Sequence, residues 1–247
     1  MMKKVWFIYP DTTPRDSNAF GWFGESFGKF GLETEFFFWD KCGESDCLSK
    51  KVLPDVVVMR GYNSRISRFF ETEGVKVINS TSSMELCRDK VATGRVLEKC
   101  NIPTPKTFLY PMQYPEWKEL SNDFNRKCII MKLSMGSKGE EVFLLENEED
   151  YRVAKDFCQS SELINEGAVP MFQEYISTSR GRDIRVWVVG GEVAGHTLRY
   201  NPGSFKSNFA QGGGVKDIEL DDKVAELAVN ASRALGLEFA GVDILFG

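Results

Sequence analysis

The stretch "MKLSMGSKGEEVF", residues 131–143, places two apolar runs on either side of a turn rich in glycine and serine. Two glycines, two serines and a lysine within residues 134–139 can direct backbone N–H groups and an ammonium at an anion, so a phosphate is the first candidate ligand. The familiar phosphate loop, G-x-x-x-x-G-K-[ST], leads into a helix. Here the turn leads into "EEVFLL" (140–145), which has the pattern of a strand. The stretch therefore predicts a hairpin rather than a strand-to-helix phosphate loop.

Composition narrows the class of protein. The chain has 247 residues, of which 42% are hydrophobic, and this is enough to bury a sizeable core. A formal charge of −5 argues against a broad basic surface for nucleic acid. No apolar run approaches the roughly 18 to 20 residues needed to cross a bilayer, and the opening "MMKKVWFIYPD" turns polar too soon for a secretory signal. These features predict a cytoplasmic protein without a nucleic-acid or membrane partner.

The residues that could hold a metal are few. The six cysteines form no C-x-x-C pattern, and we interpret them as reduced structural thiols. Cys42 and Cys47 flank "GESD", which leaves a metal or redox role open for that pair. The single histidine, His196, excludes histidine-rich metal sites. Any essential divalent ion would be held mainly by oxygen, as magnesium is.

Short apolar runs in the first 80 residues have the pattern of buried strands. They are "KVWFIYP" (4–10), "TEFFFW" (34–39), "PDVVVMR" (54–60) and "VKVIN" (75–79). Segments of helical spacing lie between them, so residues 1–84 are predicted to form a small open α/β domain with a parallel sheet. Ligands of such sheets lie beyond the carboxyl ends of the strands, which draws attention to residues 11–13 and to Arg60.

The pattern changes in the later part of the chain. From residue 107 onward it predicts further strands, with helices near 147–158 and 221–236. Gly190 and Gly191, within "VVGGEVAG", predict a hairpin between two of these strands. The segment "NPGSFKSNFAQGGGV" (201–215) is a long glycine-rich loop, and long loops in compact domains are often functional.

Several motifs follow one another in a fixed order. They are Lys90 after "CRD", Lys132 before the glycine-rich turn, "QEYI" (173–176), "GRDIRVWVV" (181–189), "FKSNFAQGGG" (205–214) and "AGVDIL" (240–245). Together they resemble the ATP-grasp ligases, and most closely the RimK-type branch, which joins amino acids or amines to a carboxylate. The resemblance implies an α/β fold of the α+β ATP-grasp kind. In it the N-terminal domain (1–84) is followed by two subdomains that sandwich the nucleotide, 85–170 with the hairpin and 171–247.

The resemblance implies that ATP binds beside the hairpin. Lys90 and Lys132 are expected to touch the phosphates and the nucleotide, and Lys132 lies inside the apolar run "IIMKL", where an unpaired ammonium is costly. The loop 134–139 is expected to fold over the phosphates and exclude water. The backbone of "QEYI" would read the adenine edge, and Asp183 would face the ribose. The implied nucleotide-binding set is Lys90, Lys132, Ser134, Gly136, Ser137, Gly139, Gln173, Glu174, Tyr175, Ile176, Asp183, Lys206, Ser207 and Asn208.

The same resemblance implies catalytic and metal-binding residues. Arg185 and Arg199 would stabilise the transferring phosphoryl group or the acyl phosphate, because a guanidinium is a planar, two-pronged donor. Asp243 matches the family's first carboxylate for Mg²⁺ or Mn²⁺. Family members carry a Glu-x-Asn metal pair on the following strand, whereas this sequence stops at Gly247. We therefore expect a truncated chain with an incomplete metal site.

These features predict an ATP-dependent, ADP-forming carboxylate–amine ligase that makes an amide bond through an acyl phosphate. Its partners would be a small-molecule or peptide carboxylate acceptor and an amino acid or amine, and Arg60 is the candidate for gripping a substrate carboxylate. Two alternatives stay open: an enzyme that modifies or cyclises a peptide side chain, and a nucleotide-binding module without ligase activity. Homo-oligomerisation is also left open.

Overall fold

The computed structural model describes residues 3–14, 16–39, 52–110, 114–125, 127–136, 141–207 and 212–247. The chain forms two compact units, Met1–Glu85 with Gly236–Glu238 and Leu86–Leu235 with Phe239–Gly247. Within the described ranges, no helix is both long enough and apolar enough to cross a bilayer.

The first unit is built on a parallel sheet. Its strands are β1 (Lys3–Tyr9), β2 (Leu32–Phe38), β3 (Val56–Met59) and β4 (Lys76–Ile78), in the order β2-β1-β3-β4. Among the described residues of this part of the chain, the helices are α1 (Asn18–Gly28), α2 (Ser64–Thr72) and α3 (Thr81–Arg88). Side chains alternate along β1, so Val5 and Phe7 pack beside α1 while Trp6 and Ile8 pack beside α2. Burial on both faces explains the continuous apolar run, and the predicted parallel sheet is confirmed.

The second unit contains an antiparallel sheet that we call the hairpin sheet. Its strands are β5 (Thr107–Leu109), β6 (Ile129–Leu133), β7 (Val142–Leu145) and β8 (Pro170–Glu174), in the order β5-β8-β6-β7, with helices α4 (Lys90–Lys99), α5 (Trp117–Asp123) and α6 (Glu148–Ser160). Strands β6 and β7 pair with Lys132 opposite Val142, which confirms the predicted hairpin. Met131 and Leu133 are fully buried in the core, so Lys132 points to the other face of the sheet.

A second antiparallel sheet of this unit, which we call the arginine sheet, lies further along the chain. It consists of β9 (Arg182–Val189), β10 (Glu192–Tyr200), β11 (Gly214–Lys216) and β12 (Phe239–Ile244), in the order β11-β10-β9-β12, with helix α7 (Asp222–Ala234). Gly190 and Gly191 join β9 to β10 with φ of 60° and 85°, which confirms the predicted hairpin. Val186 and Val188 are buried in a core that α7 shares, so Arg185 lies on the opposite face.

Candidate functional site

An open cleft with a volume of about 350 Å³ lies inside the second unit, between the hairpin sheet and the arginine sheet. The predicted site residues that line it are Lys90, Lys132, Gly136, Gln173, Glu174, Tyr175, Ile176, Lys206, Ser207 and Asp243. Apolar side chains of Ile130, Val142 and Leu245 form part of the wall. An apolar cleft with a few convergent polar groups is the usual form of a small-molecule site.

Lys132 presents a desolvated ammonium to this cleft. Its Nζ donates to Gln173 Oε1 at 2.8 Å, and Gln173 Nε2 in turn donates to Thr107 Oγ1 at 2.9 Å. Burial, with a smaller contribution from the ammonium of Lys90, lowers the pKa of Lys132 to about 8. A neutral amide offsets little of the cost of burying a charge, so a bound anion would stabilise this side chain.

Lys90, the first residue of α4, lies across the base of the hairpin. Its Nζ donates to the carbonyl oxygens of Leu133 at 3.3 Å, Ser134 at 3.4 Å and Gly136 at 3.0 Å. Burial lowers the pKa of Lys90, and the carboxylate of Glu141 partly opposes that change. Lys90 therefore adds a second cation to the side of the cleft that holds Lys132.

The hairpin turn is only partly described. Ser134 does not line the cleft, because its Oγ accepts a hydrogen bond from the Val169 N–H at 3.0 Å and so fixes the end of β6. Gly136 does line it, and its φ of 109° is a backbone conformation that residues with a Cβ rarely adopt, so glycine is favoured there. Ser137 and Gly139 lie outside the described residues.

Asp183 and Arg199 form a buried ion pair on the arginine sheet. Arg199 donates from Nε to Asp183 Oδ1 at 2.7 Å and from Nη2 to Oδ2 at 2.6 Å, and Ser207 Oγ donates to the same Oδ2 at 2.6 Å. Burial opposes the charge of Arg199, but its bonds to Asp183 and Asp243 outweigh burial and raise its pKa. Asp183 is not among the residues that line the cleft, and its carboxylate accepts hydrogen bonds from Arg199 and Ser207. Its expected position facing a ribose stays a prediction.

Asp243 lies directly opposite Arg185 in the pairing of β12 with β9. Arg185 donates from Nε to Oδ1 and from Nη2 to Oδ2, both at 2.7 Å, and Arg199 Nη2 lies 2.9 Å from Oδ2. Among the described residues, no group of three or more His, Cys, Asp or Glu side chains is placed to hold a metal. In this arrangement the donor set does not fit Mg²⁺, which prefers a shell of six oxygens.

Sequence reasoning missed two charged residues that line the cleft, Arg182 and Glu141. The Arg182 guanidinium lies 4.5 Å from the centroid of the Phe246 ring and donates to the Thr178 carbonyl oxygen at 3.1 Å. Successive side chains of β9 lie on opposite faces of the sheet, so Asp183 and Arg185 share one face and Arg182 lies on the other. A prediction based on the face of Asp183 and Arg185 therefore leaves Arg182 out. Glu141 could have been found, since it lies two residues after the end of the glycine-rich turn.

The remaining predicted residues lie in loops or in the first unit. Burial lowers the pKa of Lys206, and Glu141 partly opposes this change. Asn208 lies outside the described residues. Arg60 belongs to the first unit, where its N–H donates to the Ile8 carbonyl oxygen at 2.8 Å and its guanidinium lies 5.5 Å from the ring centroid of Phe23.

A parallel sheet followed by two antiparallel sheets that enclose a cation-lined cleft defines the ATP-grasp class of fold. Residues 87–247 match the model of the RimK-like ATP-grasp domain, and this segment includes every residue that lines the cleft. The chain belongs to the RimK-like ATP-grasp family.

Curated relatives are longer than this chain. A protein named probable alpha-L-glutamate ligase from Parasynechococcus marenigrum (strain WH8102) is 31% identical over 185 residues, covering 74% of this chain and 38% of the relative. N-acetylaspartylglutamate synthase A from Mus musculus is 32% identical over 225 residues, covering 80% of this chain and 54% of the relative. The chain thus spans about half or less of either protein.

Solved structures show the same fold. The RimK domain ATP-grasp protein from Sphaerobacter thermophilus DSM 20745 superposes with a TM-score of 0.73 at 18% identity, covering 99% of this chain and 86% of that one. At this level of identity the similarity establishes the fold alone.

Proposed function

We propose that this protein is an ATP-dependent, ADP-forming carboxylate–amine ligase. The observation that carries the proposal is the convergence of two desolvated ammonium groups, Lys90 and Lys132, on one cleft, beside Asp243, to which Arg185 and Arg199 of the arginine sheet are bonded. A polyphosphate needs cations from more than one direction, and the two lysines and two arginines would supply them.

The nucleotide would lie with its phosphates beside the lysines and its base beside the end of β8. Strand β8 ends at Glu174, and the next two residues, Tyr175 and Ile176, lie outside the sheet and line the cleft. This placement supports the expected reading of the adenine edge by the backbone of residues 173–176. Asp183 then acts on the nucleotide indirectly, by orienting Arg199 and Ser207.

The reaction proceeds in two displacements. The acceptor carboxylate attacks the γ-phosphorus, ADP leaves, and an acyl phosphate forms; the amine then attacks the acyl carbon, loses a proton and releases inorganic phosphate. Arg185 and Arg199 stabilise the charge that develops on the phosphoryl oxygens, and the protein contributes positioning and electrostatics. A divalent cation would neutralise phosphate charge when bound, although the described residues do not form a shell for it.

The names of the relatives suggest an amine substrate. Alpha-L-glutamate ligase and N-acetylaspartylglutamate synthase both name glutamate, so we propose an acidic amino acid as the amine and glutamate as the first to test. A nucleotide-binding module without ligase activity is the second candidate, because Asp243 is held by two arginines in this structure.

Acceptor-dependent ADP release tests the proposal. The protein would be incubated with ATP, MgCl₂, a panel of small-molecule and peptide carboxylates, and each amino acid, with product masses measured. We expect sustained turnover of ADP only when both substrates are present, because the acyl phosphate alone accounts for about one ADP per protein, and a product equal to the sum of the substrates less one water. Loss of water from a peptide without an added amine would indicate cyclisation instead. ATP binding without ADP release from any pair would favour the second candidate.

A further inference from the structure

The carboxylate of Asp243 is almost fully used by guanidinium groups. Arg185 takes one lone pair on each oxygen at 2.7 Å, and Arg199 takes a further one on Oδ2 at 2.9 Å. A carboxylate offers about four acceptor positions. Counting only bonds from the described residues, a cation that approached Asp243 would therefore find one acceptor position left and two positive charges beside it.

The two arginines are held very differently. Arg199 has only 9% of its side chain exposed and is fixed by two bonds to Asp183. Arg185 is 34% exposed, and within the described part of the chain its guanidinium has no hydrogen-bond partner other than Asp243. Arg185 is thus the partner that can leave Asp243 without stranding a buried charge.

We propose that Arg185 is a cationic latch that keeps free divalent cations off Asp243 in the nucleotide-free protein. Its guanidinium occupies one acceptor position on each carboxylate oxygen, and its charge repels a cation that approaches the carboxylate. This exclusion follows from the ion pairs alone and goes beyond the proposed function.

Binding of Mn²⁺ alone, measured from the loss of the free-ion signal in electron paramagnetic resonance, tests the latch. We expect the parent protein to bind Mn²⁺ weakly, and Arg185→Ala or Arg185→Gln to bind it about tenfold or more tightly, since a charge-assisted bond no longer competes. The full chain is used throughout, and thermal unfolding verifies that each variant is folded.

Two further variants make the result decisive. Arg182→Ala removes a guanidinium from the same strand, β9, without breaking a bond to Asp243, and we expect no gain in Mn²⁺ affinity from it. Asp243→Asn added to Arg185→Ala should abolish the gain. Equal Mn²⁺ binding by the parent and both Arg185 variants, including equal absence, overturns the latch, and so does an equal gain in Arg182→Ala or a gain that survives Asp243→Asn. None of these outcomes depends on ligase activity, so the latch and the proposed function can fail separately.

Discussion

Two groups of cations carry their positive charge in opposite ways. Lys90 and Lys132, which line the cleft, are called the lysine wall here, and Arg185 and Arg199, which bond to the cleft-lining Asp243, are called the arginine wall. On the side of the hairpin sheet, Lys132 and Lys90 hydrogen-bond to neutral groups, and burial lowers their pKa values. On the arginine sheet, Arg185 and Arg199 are each bound to a carboxylate by two bonds. The lysine wall can therefore bind an anion without breaking an ion pair. The arginine wall must first exchange a bonded carboxylate for a phosphate.

This difference predicts opposite stability effects on the two walls, and the arginine wall gives the largest one. Arg199→Ala should lower the free energy of unfolding by about 3 to 5 kcal/mol, because it leaves the buried charge of Asp183 uncompensated. Denaturant unfolding monitored by circular dichroism measures it. Arg152→Ala, which breaks an exposed pair with Glu149, is the control and should show no measurable change. Equal losses in the two variants would show that the Asp183 pair is not a structural element.

The second prediction separates binding from catalysis on the arginine wall. Arg185→Lys should lower kcat about a hundredfold while changing nucleotide affinity little, since a lysine keeps the charge but loses the two-pronged donor. Steady-state kinetics and calorimetry measure the two quantities. Arg233→Lys, in the last turn of α7, is the matched control. If the kcat of Arg185→Lys equals that of the parent, Arg185 has no part in the transition state.

The sequence predicted the position of the buried lysine but not the carboxylate partner of Arg199. The position of Lys132 followed from a charged residue inside an alternating apolar strand. The pairing of Arg199 with Asp183 depends on an irregularity between Val193 and Gly195 that shifts the register of β10 against β9 by one residue. Without that shift, Leu198 would lie opposite Asp183.

Local sequence patterns also predict only part of the fold. Apolar runs buried on both faces and glycine-rich turns predicted the parallel sheet and both hairpins, because these signals are local. The engagement of Asp243 by two arginines brings together β9, β10 and β12, and no local pattern specifies how three strands align. The predicted metal role of Asp243 therefore could not reveal that its oxygens were already bonded.

The third prediction concerns the lysine wall. Lys132→Ala should weaken ATP binding about tenfold or more, because it removes a charge-assisted contact. Lys132→Met should weaken binding equally yet leave the protein at least as stable as the parent, because it replaces a desolvated ammonium with an apolar group of similar length. Calorimetry and denaturant unfolding give the two values, with Lys99→Ala, an exposed lysine at the end of α4, as control. Unchanged ATP affinity in Lys132→Ala would remove this residue from the nucleotide site.

The smallest expected effect is a pH dependence that distinguishes the lysine wall from the arginine wall. The pKa of Lys132 falls from 10.5 to about 8 on folding, so between these pH values the unfolded chain binds more protons than the folded chain. Stability from this group therefore rises with pH across that window and is lowest below pH 8. Nucleotide binding needs the ammonium, so affinity should fall as pH rises through 8, by at most about tenfold between pH 7 and 9.

These two trends run in opposite directions, and both should vanish in Lys132→Met, which has nothing to titrate. Calorimetric titrations with ADP and unfolding curves at matched pH values measure them on one preparation. The arginine wall should contribute nothing, because guanidinium groups stay charged throughout this range. A decline in affinity of the same size in Lys132→Met would assign the pH dependence to the nucleotide or to Lys90. A flat affinity in the parent would mean that Lys132 keeps its proton, and the idea of a desolvated lysine waiting for an anion would then be wrong.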